Sequence, residues 1–84
     1  MTNIILYTTA GCHLCELADR LLQLLAQQYR VNIMASEISD DDQLLARYGI
    51  HIPVIQFADK TELTWPFDKA DIETKLKQQL CLPG

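Results

Sequence analysis

Between an apolar run, Ile4-Ile5-Leu6-Tyr7, and an amphipathic segment from Leu14 to about Gln28 stand Cys12 and Cys15, with two residues between them. No other stretch constrains the fold as strongly. A strand that feeds a helix through Thr8-Thr9-Ala10-Gly11 places both thiols at the helix entrance. In a chain without a secretory pattern, Cys-x-x-Cys at such a junction is a redox signature. Advancing about 100° per residue from Leu14, residues Leu17, Ala18, Leu21, Leu22, Leu24 and Leu25 fall within about 160° of arc. Glu16, Asp19, Gln23 and Gln27 take the opposite side. Cys15 lands at the border of the apolar stripe and Cys12 on the polar side. Residues three apart on a helix lie about 5–6 Å apart, inside the roughly 4.4–6.8 Å between Cα atoms that a disulfide tolerates. The pair can therefore close without breaking the helix, one thiol meeting solvent and the other half covered.

The other elements follow from period and punctuation. Ile4 to Tyr7 does not alternate, so it reads as a strand covered on both faces and central in its sheet. Gly11 supplies turn freedom ahead of the helix, and Glu16 and Asp19 suit its positive end. The helix is expected to finish near Gln28 or Tyr29. From Arg30 to Ser36, Val31, Ile33 and Ala35 alternate with Asn32, Met34 and Ser36, as in a strand less buried and nearer an edge. Ser39, with Asp42 three residues on, opens a short helix carrying Leu44, Leu45 and Tyr48, with Gly49 as its stop. Pro53 introduces a strand from Val54 to Phe57, and Ala58-Asp59-Lys60 is a turn. Leu63 and Trp65 then point one way and Glu62 and Thr64 the other, completing an antiparallel hairpin. Asp68, with Asp71 three residues later, caps a last helix striped by Ile72, Leu76 and Leu80. The order is βαβ, a helix, then ββα. A right-handed crossover makes the first two strands parallel neighbours, and the hairpin extends the sheet from the other side of strand one.

Length and charge narrow the function classes. The chain has 84 residues, enough for one domain over 1–84, and it should bury only about 60% of its unfolded surface or slightly more. Hydrophobic residues make up 49% and the formal net charge is −4, which favours a packed core and disfavours nucleic acid as a partner. No apolar run approaches the ~18 residues of a membrane span. The N-terminal residues lack a signal-peptide pattern, and three cysteines do not suggest a disulfide framework. A reducing cytoplasm and a monomer are the expectations.

Cys12-His13-Leu14-Cys15 after strand one, Ile52-Pro53 before strand three, and this element order resemble the thioredoxin superfamily at glutaredoxin size. More narrowly, Cys-His-Leu-Cys, Tyr48-Gly49, Ile52-Pro53-Val54 and Leu63 to Asp68 resemble a family of small bacterial glutaredoxin-like proteins. The resemblance spans essentially the whole chain. It implies an α/β, thioredoxin-like βαβ-α-ββα fold, a four-stranded mixed sheet flanked by three helices. It also implies that Cys12 is the nucleophile and Cys15 the resolving thiol, and that the Ile52–Pro53 bond is cis, with Ile52 and Pro53 binding substrate. Asp68 keeps the acidic position at the last helix start. The implied activity is thiol–disulfide exchange on a disulfide-containing protein or small thiol substrate, recharged by a cellular reductant, with no bound cofactor. Two departures stand out. No lysine precedes Cys12, and Trp65-Pro66 replaces the paired glycines that approach glutathione, so glutathione is expected to bind weakly at best.

Other readings compete with this one. A thiol with the usual pKa near 8.5 is mostly protonated at neutral pH, and a helix N-terminus lowers that value. Both cysteines as inert core residues fits poorly with Cys12 on the polar side. Cys12, Cys15, His13 and His51 could supply part of a zinc site, but the other half of a typical structural set is missing. A non-enzymatic binding or electron-relay module on the same fold is the alternative from a different class. His13, beside the nucleophile, would favour the thiolate when protonated, or else is a solvated side chain. Trp65 reads as a core or groove-wall residue, and Cys81 as an exposed spectator.

Overall fold

The computed structural model describes residues 2–80. Cys81 and the side chain of Leu80 lie outside the described residues. The elements are β1 (Thr2–Thr8), α1 (His13–Ala26), β2 (Val31–Glu37), α2 (Asp42–Tyr48), β3 (Val54–Gln56), β4 (Glu62–Thr64) and α3 (Lys69–Leu80). The sheet order is β2-β1-β3-β4, with β1 parallel to β2 and the remaining pairs antiparallel. This is the expected four-stranded mixed sheet with three helices.

The pleat of β1 divides the interior in two. Ile4 and Leu6 point to one face, where they meet Ala18, Leu22 and Leu25 of α1, Ile55 of β3, and Ile72 and Leu76 of α3. Ile5 and Tyr7 point to the other, where Tyr7 joins Ile38, Tyr48 and Val54. Successive side chains of a strand face opposite ways, so each of these two packed layers takes alternate residues of the same strand. The α1/α3 layer is the larger. Full burial of Leu22, Ile55 or Ile72 removes on the order of 1.5–3 kcal/mol of apolar surface from water per side chain.

Several element ends differ from the sequence reading, each for a local reason. The buried positions of α1 are Cys15, Ala18, Leu22 and Leu25, while Leu24 is half exposed. The stripe is thus narrower than the run of leucines and rotated toward Cys15, because α1 packs on the sheet along one seam only. Helix α2 starts three residues later than Ser39. Its N-cap is Asp41, whose carboxylate accepts the Gln43 and Leu44 N–H groups at 2.9 and 3.2 Å. Asp41 stands two and three residues before those donors, the usual N-cap spacing, while Ser39 lies in the preceding turn with its N–H donated to Glu37 at 3.3 Å. Gly49 does end α2, but with a right-handed backbone. A Cβ there would collide with the Leu45 carbonyl oxygen, so the glycine is needed for space and not for left-handed freedom. Strand β3 stops at Gln56, although Phe57 continues into the core. Before α3, the Asp68 carboxylate accepts the Asp71 N–H at 2.9 Å and the Asp71 carboxylate accepts the Asp68 N–H at 3.0 Å. This reciprocal cap satisfies two orphan donors at once. The Ile52–Pro53 bond is cis, and so is Trp65–Pro66, which the sequence did not suggest.

The smaller layer holds a polar contact. Tyr48 stacks on Tyr7, with centroids 4.3 Å apart, and its hydroxyl donates to Glu62 at 2.5 Å. Burial, the bond to Glu62, and the charge of Glu62 hold the Tyr48 phenol well above its usual value. The folded chain therefore binds that proton more tightly than the unfolded chain. Stability from this group is fully present below the unfolded pKa of about 10 and declines as pH rises above it. Tyr48→Phe should cost about 1.5–3 kcal/mol at neutral pH, the range for a hydrogen bond to a charged acceptor. It should also flatten the alkaline loss of stability. Urea unfolding of both proteins at neutral and alkaline pH checks this, and identical pH slopes would remove Tyr48 as the source.

Candidate redox site

The chain leaves β1 at Thr8 and reverses through Thr9-Ala10-Gly11-Cys12. The Cys12 N–H returns to the Thr9 carbonyl at 3.4 Å, and Gly11 sits at φ +78°. A positive φ at the third position is what a type II turn requires, and glycine adopts it without steric cost. Cys12 has an extended backbone and is the N-cap of α1, one residue before the helix. This refines the reading that spaced the two thiols as residues three apart within the helix. The pair is close because a capping residue lies directly over the first turn: the Cys15 N–H donates to Cys12 Sγ at 3.1 Å. The Cα atoms are 5.2 Å apart and the sulfurs are within disulfide-bonding distance. Cys12 is half-buried, whereas Cys15 is 3% exposed beneath it.

An open groove of about 560 Å³ runs beside the two sulfurs, between α1 and the β1–β2 edge. Its wall on α1 carries Glu16, Asp19 and Arg20, and its floor includes Leu6 and Ala35. The free N–H groups at the start of α1 favour negative charge on Cys12, and a thiolate there is the reactive form. His13 lies next to Cys12, largely in solvent, with Nδ1 3.8 Å from Glu16 Oε2. At that exposure the pair is weak and screened.

Ile52 and Pro53 reach the same end of the sheet by a different route. Tyr7 pairs with Val54 in the antiparallel register, so the chain just before Val54 arrives level with Thr8. Pro53 is buried and its carbonyl accepts the Trp65 N–H at 3.2 Å. Ile52 packs with Tyr7, Tyr48 and Val54, and its N–H donates to the Tyr48 carbonyl at 3.0 Å. Neither residue lines the groove beside Cys12. Asp68 is occupied in the cap of α3 and does not line that groove either. His51 is exposed on the loop after α2. Trp65 is half-buried against the main core, edge-on to Phe67 at 5.1 Å. Among the described residues, no group of three or more His, Cys, Asp or Glu side chains is arranged to hold a metal ion. No helix among them is long and apolar enough to cross a membrane.

Sequence reasoning missed Glu37. This last residue of β2 pairs with Thr8, and its carboxylate Oε1 accepts the Ala10 N–H at 2.9 Å. Desolvation pushes its carboxyl up. Hydrogen bonds from the Ala10 backbone, the Thr9 side chain and the Ser39 backbone outweigh that and hold it below the usual carboxylate range. Glu37 is itself exposed, and the only signal in the sequence was a charged residue ending an edge strand.

Residues 3–77 match the model of the Glutaredoxin-like domain (DUF836). The crystal structure of target protein XcR50 from X. campestris superposes with a TM-score of 0.79 at 32% identity, covering 89% of this chain and 96% of that one. Protein Ne2328 from Nitrosomonas europaea gives a TM-score of 0.77 at 24% identity, covering 88% and 89%. Thioredoxin 1 from Thermosipho africanus shares the fold, with a TM-score of 0.73 at 14% identity over 93% of each chain. A comparison with curated protein sequences gave no match. The chain belongs to the Glutaredoxin-like domain (DUF836) family, on the thioredoxin fold.

Proposed function

We propose that this protein is a thiol–disulfide oxidoreductase that reduces or exchanges disulfides of proteins in the cytoplasm. The observation that carries the reading is the asymmetry of one vicinal pair. Cys12 sits half exposed as the helix cap, and Cys15 lies buried behind it within bonding distance. In the reduced protein, the Cys12 thiolate attacks one sulfur of a substrate disulfide, forms a mixed disulfide and expels the other sulfur as a thiolate. The Cys15 thiol then loses its proton and attacks Cys12 Sγ, closing the internal disulfide and releasing the second substrate thiolate. Two electrons and two protons pass to the substrate, and a cellular dithiol or thiol reductant returns them. Both cysteines are on one chain, so a monomer suffices.

Ile52 and Pro53 are assigned to substrate contact. With the Ile52 N–H already donated to Tyr48, a backbone bond from this residue to an incoming chain falls to its carbonyl oxygen. Ile50, 93% exposed beside this loop, and Leu14, 40% exposed between the cysteines, suit an apolar protein surface. His13 and Asp68 are assigned as modulators of the site.

Cys15→Ser should trap a mixed disulfide with substrate through Cys12, and Cys12→Ser should trap none. Mass spectrometry of thiol-quenched mixtures reads this directly, and equal trapping by both variants would reverse or void the roles. The Cys12–Cys15 couple should have a potential of roughly −200 to −270 mV, the range of thioredoxin and glutaredoxins. Equilibration with a glutathione buffer measures it. A value near −120 mV would mark an oxidant. Glutathione itself should bind weakly, because Trp65-Pro66 takes the place of the paired glycines that the family resemblance ties to glutathione. Titration calorimetry that finds a tight complex would refute this.

A further inference from the structure

A β-turn satisfies the N–H of its fourth residue but not that of its second. In the Thr9–Cys12 turn the second residue is Ala10, and Glu37 takes its N–H at 2.9 Å. The other carboxylate oxygen accepts the Ser39 N–H at 3.3 Å. Glu37 thus ties the turn that carries the nucleophile to the connection between β2 and α2. Its backbone continues the same link, since the Ile38 N–H donates to the Thr8 carbonyl at 3.0 Å.

The tie also fixes a charge. The ends of a β-turn lie within about 7 Å. A carboxylate bonded to Thr9 and Ala10 is therefore within about a Debye length of Cys12, roughly 8 Å at physiological salt. Glu37 remains ionised through the neutral range, because the hydrogen bonds it accepts hold its carboxyl low. The other charged or titratable groups around Cys12 are Glu16, Asp19 and Arg20 of α1, with His13 next to it in the chain. The groove wall on α1 therefore adds two carboxylates against one guanidinium.

Resting on the redox reading above, we infer that Glu37 is a positioning residue for the dithiol. It holds the turn that presents Cys12, and its fixed negative charge opposes the thiolate and keeps the couple on the reducing side. The helix N-terminus favours the thiolate, and Glu37 works against it. A less favoured thiolate means a less stabilised reduced form, which is the opposite of what makes a strong oxidant.

Two substitutions separate charge from clamp. Glu37→Gln removes the charge and leaves one acceptor oxygen. Ala10→Pro removes only the donor, at a turn position where proline is favoured, and frees the carboxylate to move away. For each folded protein, the equilibrium Cys12–Cys15 disulfide + 2 glutathione thiols ⇌ dithiol + glutathione disulfide is measured. The thiolate of Cys12 is titrated by its ultraviolet absorbance. Glu37→Gln should shift the equilibrium toward the dithiol by about threefold or more, the size expected for one charge at such a distance in a partly aqueous setting. It should also bring the thiolate in at lower pH. Ala10→Pro should move both readouts in the same direction by no more than Glu37→Gln. Should Glu37→Gln fail to fold, Ala10→Pro alone decides. Folded variants that differ only in melting temperature, or that shift toward the disulfide, would overturn the role of Glu37. A wild-type protein that does not equilibrate with glutathione at all would instead sink the redox reading.

Discussion

Burial of β1 on both faces is the constraint on which the rest of the structure depends. Ile4 and Leu6 are locked between α1 and α3, and Tyr7 is locked against Tyr48 and Val54. With both pleats packed, the strand cannot slip by one residue without exchanging its two sets of side chains. Its C-terminal end is therefore held in place, and three connections meet there. Residues 9–12 leave it toward α1, Glu37 pairs beside it across β2, and the chain before Val54 reaches it from β3. The cysteines owe their position to this anchoring more than to any contact of their own.

At that end the backbone and the charges pull in different directions. Cys12 Sγ replaces the hydroxyl or carboxylate usual at an N-cap, and accepts the Cys15 N–H that would otherwise be an orphan. The capping bond and the helix dipole act on the same atom, so the sulfur is placed where negative charge is welcome. Against this stand Glu16 and Asp19 on the groove wall and Glu37, bonded to the turn from the end of β2, with Arg20 as a counterweight. On the redox reading proposed above, such a balance would moderate the thiolate, and exchange does not require an extreme value because nucleophilicity falls together with pKa. Cys15, at the head of the buried seam of α1, is shielded from bulk solvent and sees mainly its partner sulfur.

The element order, the parallel and antiparallel pairings and the place of the cysteines were legible in the sequence. Each rests on local signals: the unbroken apolar run at Ile4–Tyr7, the leucine stripe, the glycine before Cys12, and the acidic pair at Asp68 and Asp71. Where two good caps competed, as at Ser39 and Asp41, composition could not choose. In the folded chain Asp41 takes the Gln43 and Leu44 N–H groups, and Ser39 lies in the turn before it. Leu24 reads as core by hydrophobicity alone, yet the sheet covers only one seam of α1 and leaves it in solvent.

What the sequence determined by itself was the chemistry available: two thiols three residues apart at a strand–helix junction. Spacing along the chain fixes which groups can meet within one turn of helix, and that needs no tertiary context. What only the tertiary structure decided was the environment of those thiols. Glu37 comes to the turn from 27 residues away, and Ile52 turns its N–H to Tyr48 and not to the groove. The contact between Glu37 and the redox turn exists because β2 lies parallel to β1 in one register, pairing Thr8 with Glu37. A register between strands is set by the packing of both faces of the sheet, and no short window of sequence contains it.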